Sequence, residues 1–414
     1  MNTRRVVVTG LAAVTPVGND LETSWKNLVA GRSGIGTITR FDTTGYTTRI
    51  AAEVKGFESD RYIPPKQARR MDYFTRYAVG CATMLMEHSG WVMQSEEEPE
   101  TGVILGCGLG GLETIENFHK KLTDAGPRKV SPFSIPMLIA NMAAGQVSML
   151  TRAKGANLAT TSACASGTHG IGYAFSDIKL GRNHVMICGG VESTIAPMAI
   201  SGFNAMRALS CRNEEPERAS RPFDRDRDGF VIGEGCGMLL LESLEHALDR
   251  GARIYAEVVG FGASADAFHM TAPDETGTGM ALAMQKALRE AGVAAEAVDH
   301  INAHGTSTAL NDVCETRAIK QIFGKKARSI PISANKSMIG HLLGGAGGVE
   351  SVFSVLTIDR GVIPGTINLE NPDPECDLDY VAEGSRDIPV EYVLCNSFGF
   401  GGTNASLLFK RFER

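Results

Sequence analysis

Thr161-Ser162-Ala163-Cys164-Ala165-Ser166-Gly167-Thr168-His169-Gly170 runs directly into a segment whose apolar residues Ile171, Ala174, Phe175 and Ile178 share one helical face, and Gly181 supplies the stop. The arrangement recurs after Gly340-His341, where Val349, Val352, Phe353 and Leu356 line one face and Gly361 closes the helix. Outward from these two helices, short β-rich runs alternate with helical patterns. Strands are expected at Arg5 to Thr9, Gly102 to Leu105, Val185 to Cys188, Met238 to Leu241, Tyr255 to Gly260, His300 to Asn302 and Tyr392 to Cys395. The alternation predicts an α/β fold, and the paired glycine-rich helix starts point to a duplication with halves 1–253 and 254–414. The charged stretch Asn213 to Asp228 is expected to lie over the surface.

With 414 residues, 43% hydrophobic and 21% charged, the chain can bury a large core and is neither disordered nor fibrous. Its 47 glycines exceed the usual share, which calls for tight turns and close backbone approaches. Aromatic residues make up only 7%, and 41 basic against 47 acidic residues leave a net charge of −6, so a nucleic-acid surface is not expected. The nine cysteines include no C-x-x-C pair, which disfavours zinc ribbons and disulfide frameworks and suits a reducing, cytoplasmic setting. Met1-Asn2-Thr3-Arg4-Arg5 before Val6 mimics a short signal peptide, but Val6-Val7-Val8-Thr9-Gly10 reads better as a first strand and turn. No apolar run has the length of a membrane span.

Several motifs carry chemistry. Gly106, Gly108 and Gly111 satisfy G-x-G-x-x-G, but Pro127, Pro132 and Pro136 fall where a dinucleotide fold needs its next strand, so tight strand-to-helix packing is the better reading. Asp224, Asp226, Asp228 and Gly229 begin like a calcium loop, yet the twelfth position is Gly235 and Arg225 and Arg227 interrupt the acids, which suits a salt-bridged turn. Cys164 lies at a helix start, where the dipole favours a thiolate; alone, this pattern serves a buried structural cysteine equally well. His304 in Asn302-Ala303-His304-Gly305-Thr306-Ser307-Thr308, and His341 in Lys336-Ser337-Met338-Ile339-Gly340-His341, are each flanked by small residues. With the thiol they make a catalytic constellation, metal ligation being the competing reading. Asn396-Ser397-Phe398-Gly399-Phe400-Gly401-Gly402-Thr403-Asn404 is expected as a loop able to offer N–H groups to an oxyanion.

In their order and spacing these segments, with Val8-Thr9-Gly10 and Pro222-Phe223-Asp224-Arg225-Asp226-Arg227-Asp228-Gly229-Phe230, resemble the β-ketoacyl-acyl carrier protein synthases, most closely the elongating synthase II type. The resemblance implies a thiolase-like, five-layered αβαβα fold of two duplicated halves, a homodimer, and elongation of fatty acyl chains by decarboxylative condensation. It makes Cys164 the nucleophile, places His304 and His341 on the malonyl thioester, and gives Lys336, paired with Glu350, an electrostatic role. The N–H groups of Cys164 and Phe400 would hold the second oxyanion, and Phe400 would gate the pocket. Thr306 and Thr308 match pantetheine-contacting hydroxyls, Leu109, Phe203 and Ile200 are candidate acyl-pocket walls, and Asp312 and Glu315 are structural supports.

The same resemblance implies acyl carrier protein as partner. Lys66, Arg69 and Arg70, and separately Arg207 and Arg212, are candidate basic patches for that acidic protein. No cofactor of its own is expected, the phosphopantetheine being carried by the substrate, apart from a structural monovalent cation near Asn302, Glu315 and Asn396. The chain departs from the family's common pattern at Ala334-Asn335 and at Asn311. A discrete polyketide ketosynthase shares the triad and is the alternative enzyme. A noncatalytic scaffold or dinucleotide-binding protein is the alternative of another class.

Overall fold

In the computed structural model, which describes residues 4–413, ten strands share one sheet: Val6–Val14 (β1), Thr101–Gly106 (β2), Asn157–Thr160 (β3), Val185–Glu192 (β4), Gly235–Ser243 (β5), Ala256–Ala265 (β6), His300–Asn302 (β7), Ile332–Ser333 (β8), Tyr392–Gly399 (β9) and Thr403–Lys410 (β10). Their spatial order is β8-β7-β9-β10-β6-β1-β5-β4-β2-β3. Outward from the β1–β6 junction, the first five strands run 1-5-4-2-3 and the last five run 6-10-9-7-8, the same order twice. The junction itself is short and antiparallel, pairing Val6–Val8 with Val258–Ala256.

All nine residues of β1 are buried, which is the fate of a central strand and not of a leader peptide. Met1 to Thr3, the first part of that leader reading, lie outside the described residues.

Helices fill three layers. Tyr73–Ser89 (α1) and Met142–Thr151 (α2) pack on the outer face of the first half. Ser166–Lys179 (α3) lies in the middle layer, Thr278–Ala291 (α4) and Ala309–Phe323 (α5) cover the outer face of the second half, and Ala346–Arg360 (α6) joins α3 in the middle. The result is the thiolase-like αβαβα sandwich. Every residue of α6 from Ala346 to Ile358 is buried, so its small residues press against strands where an ordinary surface helix would meet water. Two glycines show how close the layers come. A Cβ on Gly106 would lie 2.2 Å from the Gly167 nitrogen, and one on Gly237 would lie 2.3 Å from the Val349 nitrogen. The glycine motif itself leads into the helix Leu112–Ala125, and the N–H groups of Gly108, Leu109 and Gly110 that would cradle a pyrophosphate are already taken by the buried Glu192 carboxylate, which removes the dinucleotide reading.

All seven expected strands form, most of them longer than expected. β3, β8 and β10 were not anticipated: β3 has two exposed residues and no alternation, β8 has only two residues, and β10 begins in what reads as a glycine-rich loop. The expected glycine loop over 396–404 is instead a hairpin. β9 runs through Gly399 and pairs with β10 from Thr403, leaving Phe400, Gly401 and Gly402 as the turn, with φ of 82° and 67° at the two glycines. The surface expectation for Asn213 to Asp228 holds only for its first part; Ala219 to Asp224 and Arg227 are buried between the halves.

The strand-to-helix approach at Gly237 is testable. Gly237→Ala is expected to lower the unfolding free energy by about 2–3 kcal/mol, read from the midpoint of a urea transition. An unchanged midpoint would mean that the middle layer yields more easily than its backbone contacts imply.

Candidate active site

Cys164 sits in the turn between β3 and α3. Ala163, just before it, has φ 49°, a left-handed conformation that costs a non-glycine residue energy and persists only where its surroundings hold it. They do: the Ser166 hydroxyl accepts from the Ser162 N–H at 2.9 Å and donates to the Ala163 carbonyl at 2.6 Å. The thiol is thereby pushed into the interface between the halves, 8% exposed. Burial pushes its pKa up to about 11, while the Lys336 charge and the N–H of Phe400 pull the other way. The helix-start expectation of a thiolate is therefore corrected: α3 begins at Ser166, and desolvation at Cys164 outweighs its dipole.

His304 follows β7, and His341 follows the short helix Lys336–Ile339. Ring nitrogens of both and the Cys164 sulfur all lie within 4.8 Å of one another. The two rings meet edge to face with centroids 5.2 Å apart, Phe398 packs on His304 and Phe230 on His341. Burial holds both imidazoles well below their ordinary pKa, and the nearby Lys336 charge adds to this, so both are neutral. Their tautomers follow from their partners. The His341 Nδ1 accepts the Leu343 N–H at 3.3 Å, and the His304 Nδ1 faces the Lys336 ammonium at 3.3 Å. Each ring therefore keeps its proton on Nε2. The ammonium is anchored by the Glu350 carboxylate, both groups being buried. A metal ion bridging the three would sit beside that fixed positive charge, which disfavours the metal reading.

The thiol and imidazoles open into a cavity of about 950 Å³ whose lining includes Leu109, Phe203, Arg207, Thr306, Thr308 and Phe400. Ile200 is fully buried, packed behind the wall in one cluster with Cys164 and Leu343, and does not reach the cavity. The Thr306 and Thr308 hydroxyls are 2.9 Å apart. Their loop is braced by Asp312, which accepts from the Thr306 N–H at 3.1 Å and the Phe223 N–H at 2.8 Å, and by Arg227, which donates to the Thr308 and Ala309 carbonyls at 2.9 Å. Arg227 was hidden in what read as a surface loop. The acids around it make a turn with no vacancy for calcium: Asp224 accepts from Arg221, Asp226, Glu370 and Asn371.

Glu315 accepts the N–H groups of His304 and Gly305 at 2.9 Å and is pushed up to about 7 by burial. Near it, Asn302 Oδ1 and Glu350 Oε2 are buried without a partner, an oxygen-rich setting that fits a monovalent cation, whereas Asn396 Oδ1 is already bonded to Ser406. Lys66, Arg69, Arg70 and Arg207 are exposed. Arg70 stacks on Phe133 at 4.3 Å, a few residues along the chain from exposed Arg128 and Lys129, which the sequence reading passed over. Arg212 is drawn inward, donating to the Asp226 carbonyl at 2.7 Å with Asp228 3.9 Å away, so it is not a free basic group.

Comparison with known proteins converges on one family. Residues 3–247 match the family model for the β-ketoacyl synthase N-terminal domain and residues 255–370 that for its C-terminal domain. The chain is 50% identical over 413 residues to the 3-oxoacyl-[acyl-carrier-protein] synthase 2 of Vibrio cholerae, covering 99% of this chain and 100% of that one. It is 51% identical over 410 residues to the protein of the same name from Synechocystis, covering 99% of each. Among solved structures it resembles a β-ketoacyl synthase from Burkholderia phymatum, with TM-score 0.93 and 38% identity over 99% of this chain and all of that one. It also resembles a type II polyketide ketosynthase solved with its acyl carrier protein, with TM-score 0.92 and 33% identity over 99% and 100% of the two chains.

The electrostatics of the thiol give a direct check. Alkylation of Cys164 by iodoacetamide, followed by peptide mass spectrometry to separate it from exposed Cys211, is expected to accelerate steadily with pH past 9. Lys336→Met should move the midpoint still higher by removing the positive charge. A midpoint near neutral pH, or a downward shift in the variant, would contradict the assignment.

Proposed function

The chain belongs to the β-ketoacyl synthase family, and on that premise we propose that Cys164, His304 and His341 carry out the elongating condensation of the 3-oxoacyl-carrier-protein synthase 2 type. The enzyme is an acyltransferase that lengthens fatty acyl chains by two carbons and needs no cofactor of its own. In the first half-reaction the Cys164 sulfur attacks the carbonyl carbon of an acyl thioester on acyl carrier protein. The thiol proton leaves with the pantetheine sulfur, and the acyl chain enters the cavity past Leu109 and Phe203.

In the second, malonyl carrier protein binds with its arm along Thr306 and Thr308. The bond to its carboxyl carbon breaks, CO2 departs, and the electron pair enters an enolate whose charge develops on the thioester oxygen. The Nε2–H groups of neutral His304 and His341 donate to that oxygen, and a pocket poor in water makes each donor worth more than it would be in bulk. The enolate carbon attacks the acyl-Cys164 carbonyl. Backbone N–H groups of Cys164 and Phe400, both directed at the sulfur, then hold the oxygen of the tetrahedral intermediate until the sulfur is expelled as a thiolate, which takes up a proton from solvent to restore the resting thiol. What carries this reading is the convergence of one thiol and two neutral imidazoles within 4.8 Å. Identity of 50–51% to the synthase 2 relatives, against 33% to the polyketide ketosynthase, favours the fatty-acid reading over the polyketide one.

Several further features accompany this proposal. The halves are 1–253 and 254–414, supported by the repeated strand order. The Lys66-Arg69-Arg70 cluster and Arg207 receive the acidic carrier protein, supported by their exposure and by Arg207 lying on the cavity wall. A homodimer forms through β3, supported by its position at the sheet edge with Leu158 54% exposed beside exposed Met149 and Leu150 of α2. Among the described residues no helix is long and apolar enough to cross a membrane. Nine free cysteines support a cytoplasmic setting.

Cys164→Ala is expected to abolish formation of an acyl-enzyme, seen as an intact-mass increment, while malonyl carrier protein is still decarboxylated. His304→Ala and His341→Ala should each slow that decarboxylation by about 100-fold or more. Condensation by the Cys164→Ala protein would exclude the mechanism. Lys66→Glu should raise KM for carrier-linked substrates about 3–10-fold at low salt, with the effect fading above physiological ionic strength. A salt-independent change would place the carrier elsewhere.

A further inference from the structure

Glu192 ends β4 fully buried, and it enters none of the steps above. Its carboxylate is surrounded by backbone donors. Oε2 accepts the Gly108 N–H at 2.7 Å and the Gly344 N–H at 3.1 Å, Oε1 accepts the Gly110 N–H at 3.2 Å, and the Leu109 N–H reaches both oxygens at 3.2 and 3.3 Å. The Cys107 thiol adds a fifth donor at 3.6 Å from Oε1. Every backbone partner is a donor, so a proton on either oxygen would have nothing to bond to, and the geometry demands the carboxylate. Burial nevertheless works against its charge, and the four N–H groups oppose that penalty in place of a basic side chain.

These donors belong to two separate turns. One, Gly108 to Gly110, carries Leu109 into the cavity from the first half. The other follows His341 in the second half. Within it Leu343 has φ 48°, a strained conformation, and its N–H is the group that bonds the His341 Nδ1 at 3.3 Å. The strained peptide is thus held from both sides, by His341 through the Leu343 N–H and by Glu192 through the Gly344 N–H. The turns also touch directly: a Cβ on Gly344 would lie 2.2 Å from the Gly108 nitrogen. A Cβ on Gly108 would lie 2.7 Å from Glu192 Oε2 and 3.7 Å from the Ala163 carbonyl next to the nucleophile.

We propose that Glu192 is a positioning residue for the condensation, a carboxylate clamp that ties the turn bearing Leu109 to the turn whose Leu343 N–H orients His341. The inference rests on the reading of His341 as an enolate donor. It assigns to one side chain both the aim of that imidazole and the register of the acyl-pocket wall against it. Glu192 does not line the cavity that Thr306 and Thr308 line, so binding of the malonyl arm is left alone.

The test uses the full chain with Glu192→Gln, in which one acceptor oxygen becomes an amide that faces N–H groups it cannot bond. Malonyl carrier protein decarboxylation is measured as kcat and KM, and product length is followed with a ladder of acyl carrier proteins. The expected result is a fall in kcat of at least about tenfold with KM changed less than about twofold, together with a broadened chain-length profile. Gly108→Ala, which presses a methyl group on the same carboxylate oxygen, should reproduce the pattern. Wild-type kcat and chain-length profile in a folded Glu192→Gln protein would overturn the proposal, as would equal losses in kcat and KM. Should Glu192→Gln fail to fold, Gly108→Ala decides by the same criteria, and failure of both to fold assigns the carboxylate to the fold and overturns the proposal. Absence of acyl-enzyme or decarboxylation in the wild-type chain would instead sink the functional reading itself.

Discussion

A buried ammonium, that of Lys336, sits where the two halves of the chain meet, and the chemistry of the site depends on it. Glu350 anchors it, so that neither charge is buried alone, and removing one member of such a pair costs about 3–5 kcal/mol. From that position its field acts on three neighbours at once. It adds to burial in keeping His304 and His341 unprotonated, and it opposes burial at Cys164. A neutral imidazole with Nδ1 occupied is a donor at Nε2, whereas a charged one would lose its proton to the enolate and quench the carbon nucleophile. The thiol, for its part, remains uncharged until a thioester carbonyl arrives. The resting site is thus nearly free of mobile charge, and its electrostatic contribution is reserved for charge that develops during the reaction.

This arrangement requires the halves to approach more closely than ordinary side chains permit. The nucleophile comes from the first half, on the turn into α3, and the histidines come from the second, on loops after β7 and before α6. Glycines at the crossing points let backbone meet backbone there. Strained backbone is found at the same junction: Ala163, Phe223, Ser307 and Leu343 all hold left-handed φ values beside reacting or bracing groups. Specific hydrogen bonds surround them, and His341 and Glu192 share those of the turn after His341.

The helices after Cys164 and His341 were legible because their apolar spacing is unbroken and a glycine ends each. The β-strand runs were legible for the same reason, as was the association of a helix-start thiol with two histidines. Other features leave no such trace. Glu192 is an acid at a strand end in no motif, and its role appears only when Gly108 and Gly344, far apart in the chain, meet around it. Arg227 looked like part of a solvated loop because alternating Asp and Arg read as surface, while in the fold it is buried against Asp373 and Asp312 of the second half. The thiol was misjudged because a helix dipole is visible in sequence and desolvation is not. Ile200 is expected on the pocket wall by resemblance, but in the fold it is fully buried and does not line the cavity.

Everything in the site turns on two neutral imidazoles that present Nε2–H groups to one point beside a sulfur. Nitrogen-15 NMR of the histidine rings across pH 5 to 8, assigned with His304→Ala and His341→Ala, tests it most directly. The expected spectra show two rings whose Nδ1 stays unprotonated and whose Nε2 stays protonated throughout. Protonation of either His304 or His341 between pH 6 and 7, or a proton resident on Nδ1, would contradict it.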